Sequence, residues 1–384
     1  MTRRLFVVTA AAASAGRAAD TYEVPQSIRN LKPMTGGIQP IAESEREARR
    51  ERARHLMRDN RIGAVVCGPG SSMHYFAGMR GSGGRDLLVL PARGEPAVAS
   101  PAAAAQALKD RGAALGRIGI EERTEFHIFN GLSRRLPRAE MVSADPVTAG
   151  CRMIKSSAEI ALIERANEIT IAAYKAAFAT MREGMTQADF SANIDAAYRA
   201  LGVRGGAMAI FGKYTAYPHG SAQPQRLREG DMVLVDDGCE VEGYQSDITR
   251  TTVFGKPSVR QRQIWELERK AQDAAFRAAR PGATCESVDA AARRVIVDFG
   301  FGPEYKLPGL PHRTGHGIGL DGHEWTYLVR GNKTPLEPGM CFSDEPTVAI
   351  PGEFGVRLED CMYITEDGAR MFTKQSPAID QPFG

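Results

Sequence analysis

Hydrophobic positions change their period repeatedly in the first part of this 384-residue chain. Two segments, from Glu43 to about Asn60 and from Pro101 to about Gly112, have the pattern of helices. Three short apolar runs, at 64–67, 87–90 and 118–120, are typical of strands. Because helical and strand-like segments alternate, the sequence predicts a small α/β domain in this part of the chain.

Longer helical patterns replace this alternation beyond the stretch 151–154, where we place a domain boundary. Ser156 and Glu159 have the spacing of a capping box, which predicts a helix that runs through about Met181. The inner face of this helix would carry the apolar residues Ile160, Ile163, Ile169 and Ala173.

The second part of the chain repeats one order of elements. Thr186 and Asp189 open another helix, and strand-like runs follow. Ser258 and Thr284 then begin two further helices, and strand-like runs follow again. This repetition predicts an α+β fold of two related halves with pseudo-two-fold symmetry.

The first 40 residues differ from both parts. Arg3 and Arg4 precede a mildly apolar, Ala-rich stretch that ends near Ala19. This pattern is typical of a bacterial twin-arginine signal and favours a periplasmic or exported protein; the alternative is an Ala-rich tail on a cytoplasmic enzyme. Prolines and glycines up to about Pro40 predict an extended arm. We therefore divide the chain into residues 1–40, 41–152 and 153–384.

Composition narrows the class of protein. Charged residues make up 25% of the chain and hydrophobic residues 43%, which is ordinary for a globular enzyme. A net charge of +3 gives no reason to expect nucleic-acid binding. No run approaches the roughly 20 apolar residues of a membrane span. The six cysteines include no C-x-x-C pair, so we expect buried free thiols rather than a structural zinc site.

Two aspartates stand on either side of a turn signal. Asp236 and Asp247 flank Glu242-Gly243, which lies between two apolar-alternating runs and predicts a β-hairpin. The two carboxylates would then lie on neighbouring strands. Because Asp236 directly follows the apolar run 232–235, its carboxylate would be buried and would need a cation. The alternative is a solvated hairpin with ordinary surface acids.

A histidine between glycines provides a further candidate ligand. Gly315, Gly317 and Gly319 occupy alternate positions around His316, and glycines so placed let the backbone pass close to another group. A phosphate-binding loop is a poor alternative, because no Lys-Ser/Thr follows.

Together with two glutamates near the C-terminus, these residues predict a two-metal hydrolase site. Four carboxylates and one imidazole suit a pair of divalent cations. The five candidate ligands are Asp236, Asp247, His316, Glu345 and Glu359.

Five segments containing these residues resemble, in their order, motifs of the pita-bread metallopeptidases, which include aminopeptidase P, prolidase and methionine aminopeptidase. They are AYPHG at 216–220, DDG with YQSDITRT at 236–251, HRTGHGIGLDGHE at 312–324, EPGMCFSDEP at 337–346 and GVRLED at 355–360. The resemblance covers the chain from about Lys155 to its C-terminus and, more loosely, the part before it.

For the metal ligands, the resemblance implies distinct roles. Asp236 would chelate one metal ion, and Asp247 and Glu359 would bridge both. His316 and Glu345 would complete the coordination of the second ion. A hydroxide between the metals would attack the scissile carbonyl.

The resemblance also implies that four residues act on the substrate or support the site. Glu345 would also carry a proton from the water toward the leaving nitrogen. His219 and His323 would hydrogen-bond the substrate carbonyl and the tetrahedral intermediate, and Arg357 would support the ligands from outside.

The resemblance also implies a substrate class. An N-terminal domain of this kind accompanies cleavage before proline in the family, so we expect an Xaa-Pro dipeptidase or an Xaa-Pro aminopeptidase. The distance in sequence from AYPHG to Asp236 favours the dipeptidase. We further expect a homodimer and Mn²⁺, with Co²⁺ or Zn²⁺ as alternatives.

Some positions depart from the family pattern and leave other functions open. Thr347 and Ala349 stand where the family usually has glycine and an aromatic residue, and Asp344 adds a carboxylate before Glu345. One alternative is a metal-dependent hydrolase or lyase of a non-peptide substrate. The other is a non-catalytic binding module on this scaffold, which the presence of all five ligands disfavours.

Overall fold

A computed structural model describes residues 22–81 and 86–383. The segment interpreted as an export signal lies outside the described residues. Within those residues, no helix has both the length and the apolar character that crossing a membrane requires.

The segment predicted to be an extended arm contains one helical turn, α1 (Gln26–Arg29). Ile28 in this turn is fully buried. The Ser27 hydroxyl donates to the carbonyl of Ala176 at 2.9 Å, and the amide of Met34 donates to the carbonyl of Leu201 at 2.9 Å. The arm is therefore fastened to the second part of the chain rather than to the domain that follows it in sequence.

The first domain is a mixed sheet between helices, in agreement with the predicted α/β domain. Its sheet has the order β3-β2-β1-β4-β5, in which β1, β4 and β5 are parallel and β2 and β3 run antiparallel to their neighbours. The helices are α2 (Glu43–Asp59), α3 (Ser71–Ala77), α4 (Pro101–Asp110), α5 (Phe126–Arg135) and α6 (Asp145–Arg152). The strands are β1 (Ile62–Cys67), β2 (Leu87–Pro91), β3 (Ala97–Ala99), β4 (Arg117–Ile120) and β5 (Glu140–Ser143).

Alternation along β1 explains why both faces of this sheet are covered. Val65 and Cys67 pack in the core that contains Met57 of α2, whereas Val66 packs in the core that contains Leu108 of α4. A strand buried on both faces is apolar throughout, as the run at 64–67 is.

The first half of the second domain begins with two helices. These are α7 (Ser157–Phe178) and α8 (Gln187–Leu201). The strands that follow are β6 (Arg204–Gly205), β7 (Met208–Phe211), β8 (Met232–Asp236), β9 (Cys239–Val241), β10 (Tyr244–Gln245) and β11 (Arg250–Val253). They form two three-stranded sheets, β11-β8-β7 and β10-β9-β6.

The second half repeats this order, so the predicted α+β arrangement is confirmed. Its helices are α9 (Val259–Ala278) and α10 (Cys285–Asp298). Its strands are β12 (Gly315–Gly317), β13 (Glu324–Leu328), β14 (Cys341–Asp344), β15 (Thr347–Ile350), β16 (Phe354–Arg357), β17 (Asp360–Thr365) and β18 (Gly368–Met371). They form a five-stranded sheet, β13-β12-β14-β17-β18, and the pair β15-β16.

Most helix starts lie where the sequence predicts them. Ser156, Thr186 and Ser258 each form a capping box, in which the side chain accepts from the third residue of the helix. Thr284 precedes α10 but makes no such bond. The helix α7 ends at Phe178, slightly before the predicted Met181. Its predicted inner-face residues Ile163, Ile169 and Ala173 are fully buried, whereas Ile160 is only partly buried.

Candidate active site

The hairpin that carries the two aspartates is interrupted. Asp236 ends β8, and Glu242 and Gly243, with φ of 49° and 89°, form the tight turn between β9 and β10. Asp247 lies in the loop between β10 and β11, so the prediction that both carboxylates lie on strands is wrong for Asp247. The chain leaves the sheet of β8 after Asp236 and enters that of β9. At the crossing, Gly238 passes so close to Ser246 that a Cβ atom there would lie 2.1 Å from the Ser246 carbonyl oxygen.

His316 is at the centre of β12, between glycines that the packing requires. A Cβ atom on Gly315 would lie 2.1 Å from the carbonyl oxygen of Ser343, and one on Gly317 would lie 2.8 Å from that of Glu324. The predicted close approach of the backbone is therefore present. His316 itself is buried, with 1% of its side chain exposed.

Two paired strands bring the glutamates together. Glu345 follows β14 and Glu359 precedes β17, and these strands pair at Asp344 and Asp360. The Glu345 amide donates to the carbonyl of Thr314 at 2.8 Å, which fixes Glu345 beside β12.

The five predicted ligands converge into overlapping clusters. His316, Glu345 and Glu359 each offer a ligand atom within 4.8 Å of the others, and so do Asp236, Asp247 and Glu359. The His316 Nε2 atom lies 3.1 Å from Glu345 Oε1 and 3.6 Å from Asp247 Oδ2. The two clusters share Glu359, which is the arrangement that a bridging carboxylate would need.

The electrostatics of this cluster call for cations. Burial raises the pKa of Asp247 and of Glu359 well above the usual range, and the neighbouring carboxylates raise each further. Glu359 Oε1 is also buried without a hydrogen-bond partner among the described residues. Burial opposes the charged form of Glu345 as well, but His316 beside it outweighs this effect and lowers the pKa of that carboxyl. Carboxylate oxygens and one imidazole fit a pair of divalent cations well.

Thr249 and Arg357 organise the ligands from one side. The Thr249 Oγ1 atom lies 2.8 Å from Asp236 Oδ1 and 2.6 Å from Glu359 Oε2, and it accepts from Arg357 Nε at 3.0 Å. Arg357 also pairs with Asp236 and donates to the carbonyl of Pro218 at 3.1 Å. Sequence reasoning anticipated a supporting role for Arg357 but missed Thr249. Its position two residues after Asp247 was the available signal.

The predicted substrate-side histidines occupy different surroundings. His323 stacks on His316, with ring centroids 3.8 Å apart, and is itself exposed to solvent. His219 is exposed and follows Pro218, whose carbonyl contacts Arg357. The structure therefore places the residue before His219 against Arg357 and, in the described part of the chain, gives the His219 ring no hydrogen bond.

Thr347, one of the departures from the family pattern, has a specific contact. Its hydroxyl lies 2.9 Å from His312 Nε2, while His312 Nδ1 lies 2.7 Å from the carbonyl of Arg313. His312 is thus held by two hydrogen bonds beside the cluster, which gives a structural reason for a hydroxyl at position 347.

A cavity of about 510 Å³ opens between the two domains next to His323. The first domain lines it with residues around Ser71, Glu121 and Asp145. On the other side it is lined by His323, just before β13, and by Trp325 and Tyr327 of β13. Because His323 both lines the cavity and stacks on His316, the cavity adjoins the ligand cluster.

Buried ion pairs hold the two walls of this cavity together. Arg152, at the end of α6, pairs with Glu324 and lies 2.6 Å from Asp321 Oδ2. Lys155 Nζ lies 3.0 Å from Glu324 Oε2, and the Ser71 hydroxyl donates to Asp321 Oδ1 at 2.6 Å.

Comparison with known proteins agrees with this geometry. Residues 161–366 match the model of metallopeptidase family M24, and residues 94–154 match that of the creatinase/prolidase N-terminal domain. The chain is 36% identical over 260 residues to an Xaa-Pro dipeptidase of Pyrococcus furiosus, covering 67% of this chain and 73% of that protein. It is 37% identical over 341 residues to the probable dipeptidase PepE of Mycobacterium tuberculosis, covering 81% and 90%.

Solved structures show the same likeness. A dipeptidase from Pyrococcus horikoshii superposes with a TM-score of 0.79 at 29% identity, over 85% of this chain and 98% of that one. A family model that matches more than half of the chain, at the segments that carry the clustered ligands, settles the assignment. This chain belongs to metallopeptidase family M24, with an N-terminal domain of the creatinase/prolidase type.

Proposed function

We propose that this protein is an Xaa-Pro dipeptidase that hydrolyses the peptide bond before proline with two divalent metal ions. The observation that supports it best is the pair of ligand clusters that share Glu359. The names of the relatives from P. furiosus and P. horikoshii agree with a dipeptide substrate.

Asp236, Asp247, His316, Glu345 and Glu359 would hold the two ions, with Asp247 and Glu359 between them. When bound, the ions would supply an activated water and stabilise negative charge on the carbonyl oxygen. Glu345 would receive the proton of that water and pass it to the proline nitrogen as the C–N bond breaks.

Three further residues would act around this chemistry. His323, which stacks on His316, and His219, which follows Pro218 at its contact with Arg357, would both donate hydrogen bonds to the carbonyl oxygen as it gains charge. Arg357 would keep Asp236 in place through their ion pair.

Four finer features belong to the same proposal. Mn²⁺ suits the oxygen-rich ligand set. We also propose, from the sequence, that the protein is a homodimer and is exported through a twin-arginine signal. We place the first domain at residues 41–152 and the catalytic domain at 153–384, since α6 ends at Arg152 and α7 begins at Ser157.

Hydrolysis of Ala-Pro and of Ala-Pro-Ala by the Mn²⁺-loaded protein tests the proposal. We expect cleavage of Ala-Pro that a chelator abolishes, and weaker cleavage of the tripeptide. Glu359→Gln is the matched control, because it keeps the side-chain shape and removes the charge. Protein that holds two metals per chain yet cleaves neither peptide would contradict the proposal and favour a non-peptide substrate.

A further inference from the structure

Two stacked imidazoles make opposite hydrogen bonds through the same ring atom. His316 Nδ1 lies 3.1 Å from the carbonyl oxygen of Gly317. His323 Nδ1 lies 2.7 Å from Arg313 Nη2. The ring centroids are 3.8 Å apart and the interplanar angle is 23°. The two neighbouring histidines therefore differ in the partner of Nδ1, which is a carbonyl for His316 and a guanidinium for His323.

These partners decide where each ring carries its hydrogen. A carbonyl oxygen only accepts, so His316 Nδ1 must carry hydrogen, and Nε2, beside Glu345 and Asp247, is the atom left to bind metal. A guanidinium only donates and stays charged, so His323 Nδ1 must accept. In a neutral His323 ring, the hydrogen is therefore on Nε2.

Arg313 is well placed to impose this arrangement. Its guanidinium lies over the Tyr327 ring, 4.9 Å from the centroid, and in the described part of the chain His323 is the one hydrogen-bond partner of its side chain. Because its Nδ1 accepts from Arg313, the His323 ring in this arrangement carries a single hydrogen and is neutral.

The tautomer matters because His323 is also close enough to be a ligand. Asp247, His316 and His323 each offer an atom within 4.8 Å of the others. However, Nδ1 of His323 is occupied by Arg313, and Nε2 carries hydrogen, so neither nitrogen has a lone pair for a metal.

We propose that Arg313 is a positioning residue that fixes His323 in the Nε2–H tautomer, so that His323 donates a hydrogen bond and does not bind metal. Its catalytic consequence rests on the proposed function: an Nε2–H donor would face the substrate carbonyl. The tautomer itself can be measured without any substrate.

The first test is the tautomer in the full-length protein loaded with Zn²⁺ and labelled with ¹⁵N-histidine. The chain has seven histidines, so the spectrum of His323→Gln identifies the His323 signals. We expect a pyridine-type shift for His323 Nδ1 and a pyrrole-type shift for Nε2. The reverse pattern would overturn the proposal.

The second test separates positioning from substrate binding. In Arg313→Met we expect kcat on Ala-Pro to fall about 10–100-fold, the usual effect of losing an orienting partner, while KM and metal content stay unchanged. Arg313→Lys, which keeps a donor, should recover part of kcat. Arg330→Met is the control, because Arg330 pairs with Glu304 on the surface of the same half.

Other outcomes would contradict the assignment. Arg313→Met could instead raise KM for Ala-Pro and leave kcat unchanged. If KM for the dipeptide amide did not rise, Arg313 would bind the substrate carboxylate. Loss of a metal ion in His323→Ala would make His323 a ligand. If the metal-loaded wild type does not cleave Ala-Pro while the NMR pattern is as expected, the proposed function fails and the tautomer assignment stands.

Discussion

The carboxylate of Asp360 lies 2.6 Å from the guanidinium of Arg250, and neither side chain is exposed to solvent. Arg250 also donates to the carbonyl of Glu359 at 2.8 Å. The pair therefore anchors the backbone of a proposed bridging ligand from behind. A buried pair of this kind is costly to break, because the remaining charge has no counter-ion.

Asp360→Ala should therefore destabilise the fold strongly. We expect a loss of about 3–5 kcal/mol in the free energy of unfolding, because the Arg250 charge stays buried. Denaturant unfolding with metals bound measures this loss. Asp380→Ala is the control, since Asp380 pairs with Arg262 at the exposed surface. Equal unfolding midpoints for the two variants would refute the anchoring role.

The bridging assignment predicts a particular pattern of metal loss. Asp247→Ala and Glu359→Ala should each lose both metal ions and all peptidase activity, because each carboxylate would bind both ions. Elemental analysis of the purified variants gives the number of ions per chain. Asp237→Ala is the matched control: this neighbouring aspartate is exposed, and its Oδ1 accepts from the amide of Gly238 at 2.8 Å. Near wild-type metal content in either bridging variant would exclude the assignment.

Thr249→Val tests whether the hydroxyl among Asp236, Glu359 and Arg357 orients the ligands. The substitution keeps the side-chain volume and removes one atom that contacts all three. We expect metal affinity to fall about 10–100-fold, as for other partners that orient ligands. Competition with a chelator measures the affinity, and Thr249→Ser should restore it. An affinity unchanged in the valine variant would argue that the ligands orient themselves.

The ion pairs of Glu324 with Arg152 and Lys155 predict a dependence of stability on pH. Burial alone would raise the pKa of Glu324, but Arg152 and Lys155 outweigh it and lower the pKa to about 2. The folded state therefore binds this proton more weakly than the unfolded state, whose glutamate pKa is about 4.3. The stabilisation, on the order of 3 kcal/mol, is complete above pH about 4.3 and disappears as the pH falls toward 2.

Comparing the wild type with Glu324→Gln at several pH values measures this contribution. The difference in the free energy of unfolding should be constant at neutral pH and shrink below pH about 4.3. Glu353→Gln serves as a control, because Glu353 pairs with Arg260 at the exposed surface. A difference that stays constant or grows in acid would show that Glu324 does not act through its charge.

Local patterns predicted the parts of the fold that local interactions decide. Capping residues such as Ser156 and Ser258 mark helix starts because their side chains bond within the first turn. The glycines around His316 signalled close backbone contact, although the group they approach could not be known. The candidate ligands were found from their residue types and from the order of the motifs that resemble the family.

The features that the sequence did not predict depend on contacts between segments that are distant in the chain. Asp247 lies in the loop where the chain passes from the sheet of β10 to that of β11, and no hydrophobic period predicts this change of sheet. Arg313 meets His323 across a turn in a way that depends on how β12 and β13 pair. The partners of Glu324 are far away in the chain: Lys155 lies 169 positions before it and Arg152 lies 172 positions before it.

The division of the ligands between the two halves has a consequence for how the enzyme matures. Asp236 and Asp247 belong to the first half, whereas His316, Glu345 and Glu359 belong to the second. With this proposed ligand set, neither half alone would hold both ions, so tight loading would have to wait until the halves have docked. Metal uptake during refolding would then report a late assembly event, and a substitution that loosens the docking would weaken metal retention before it disturbs either half.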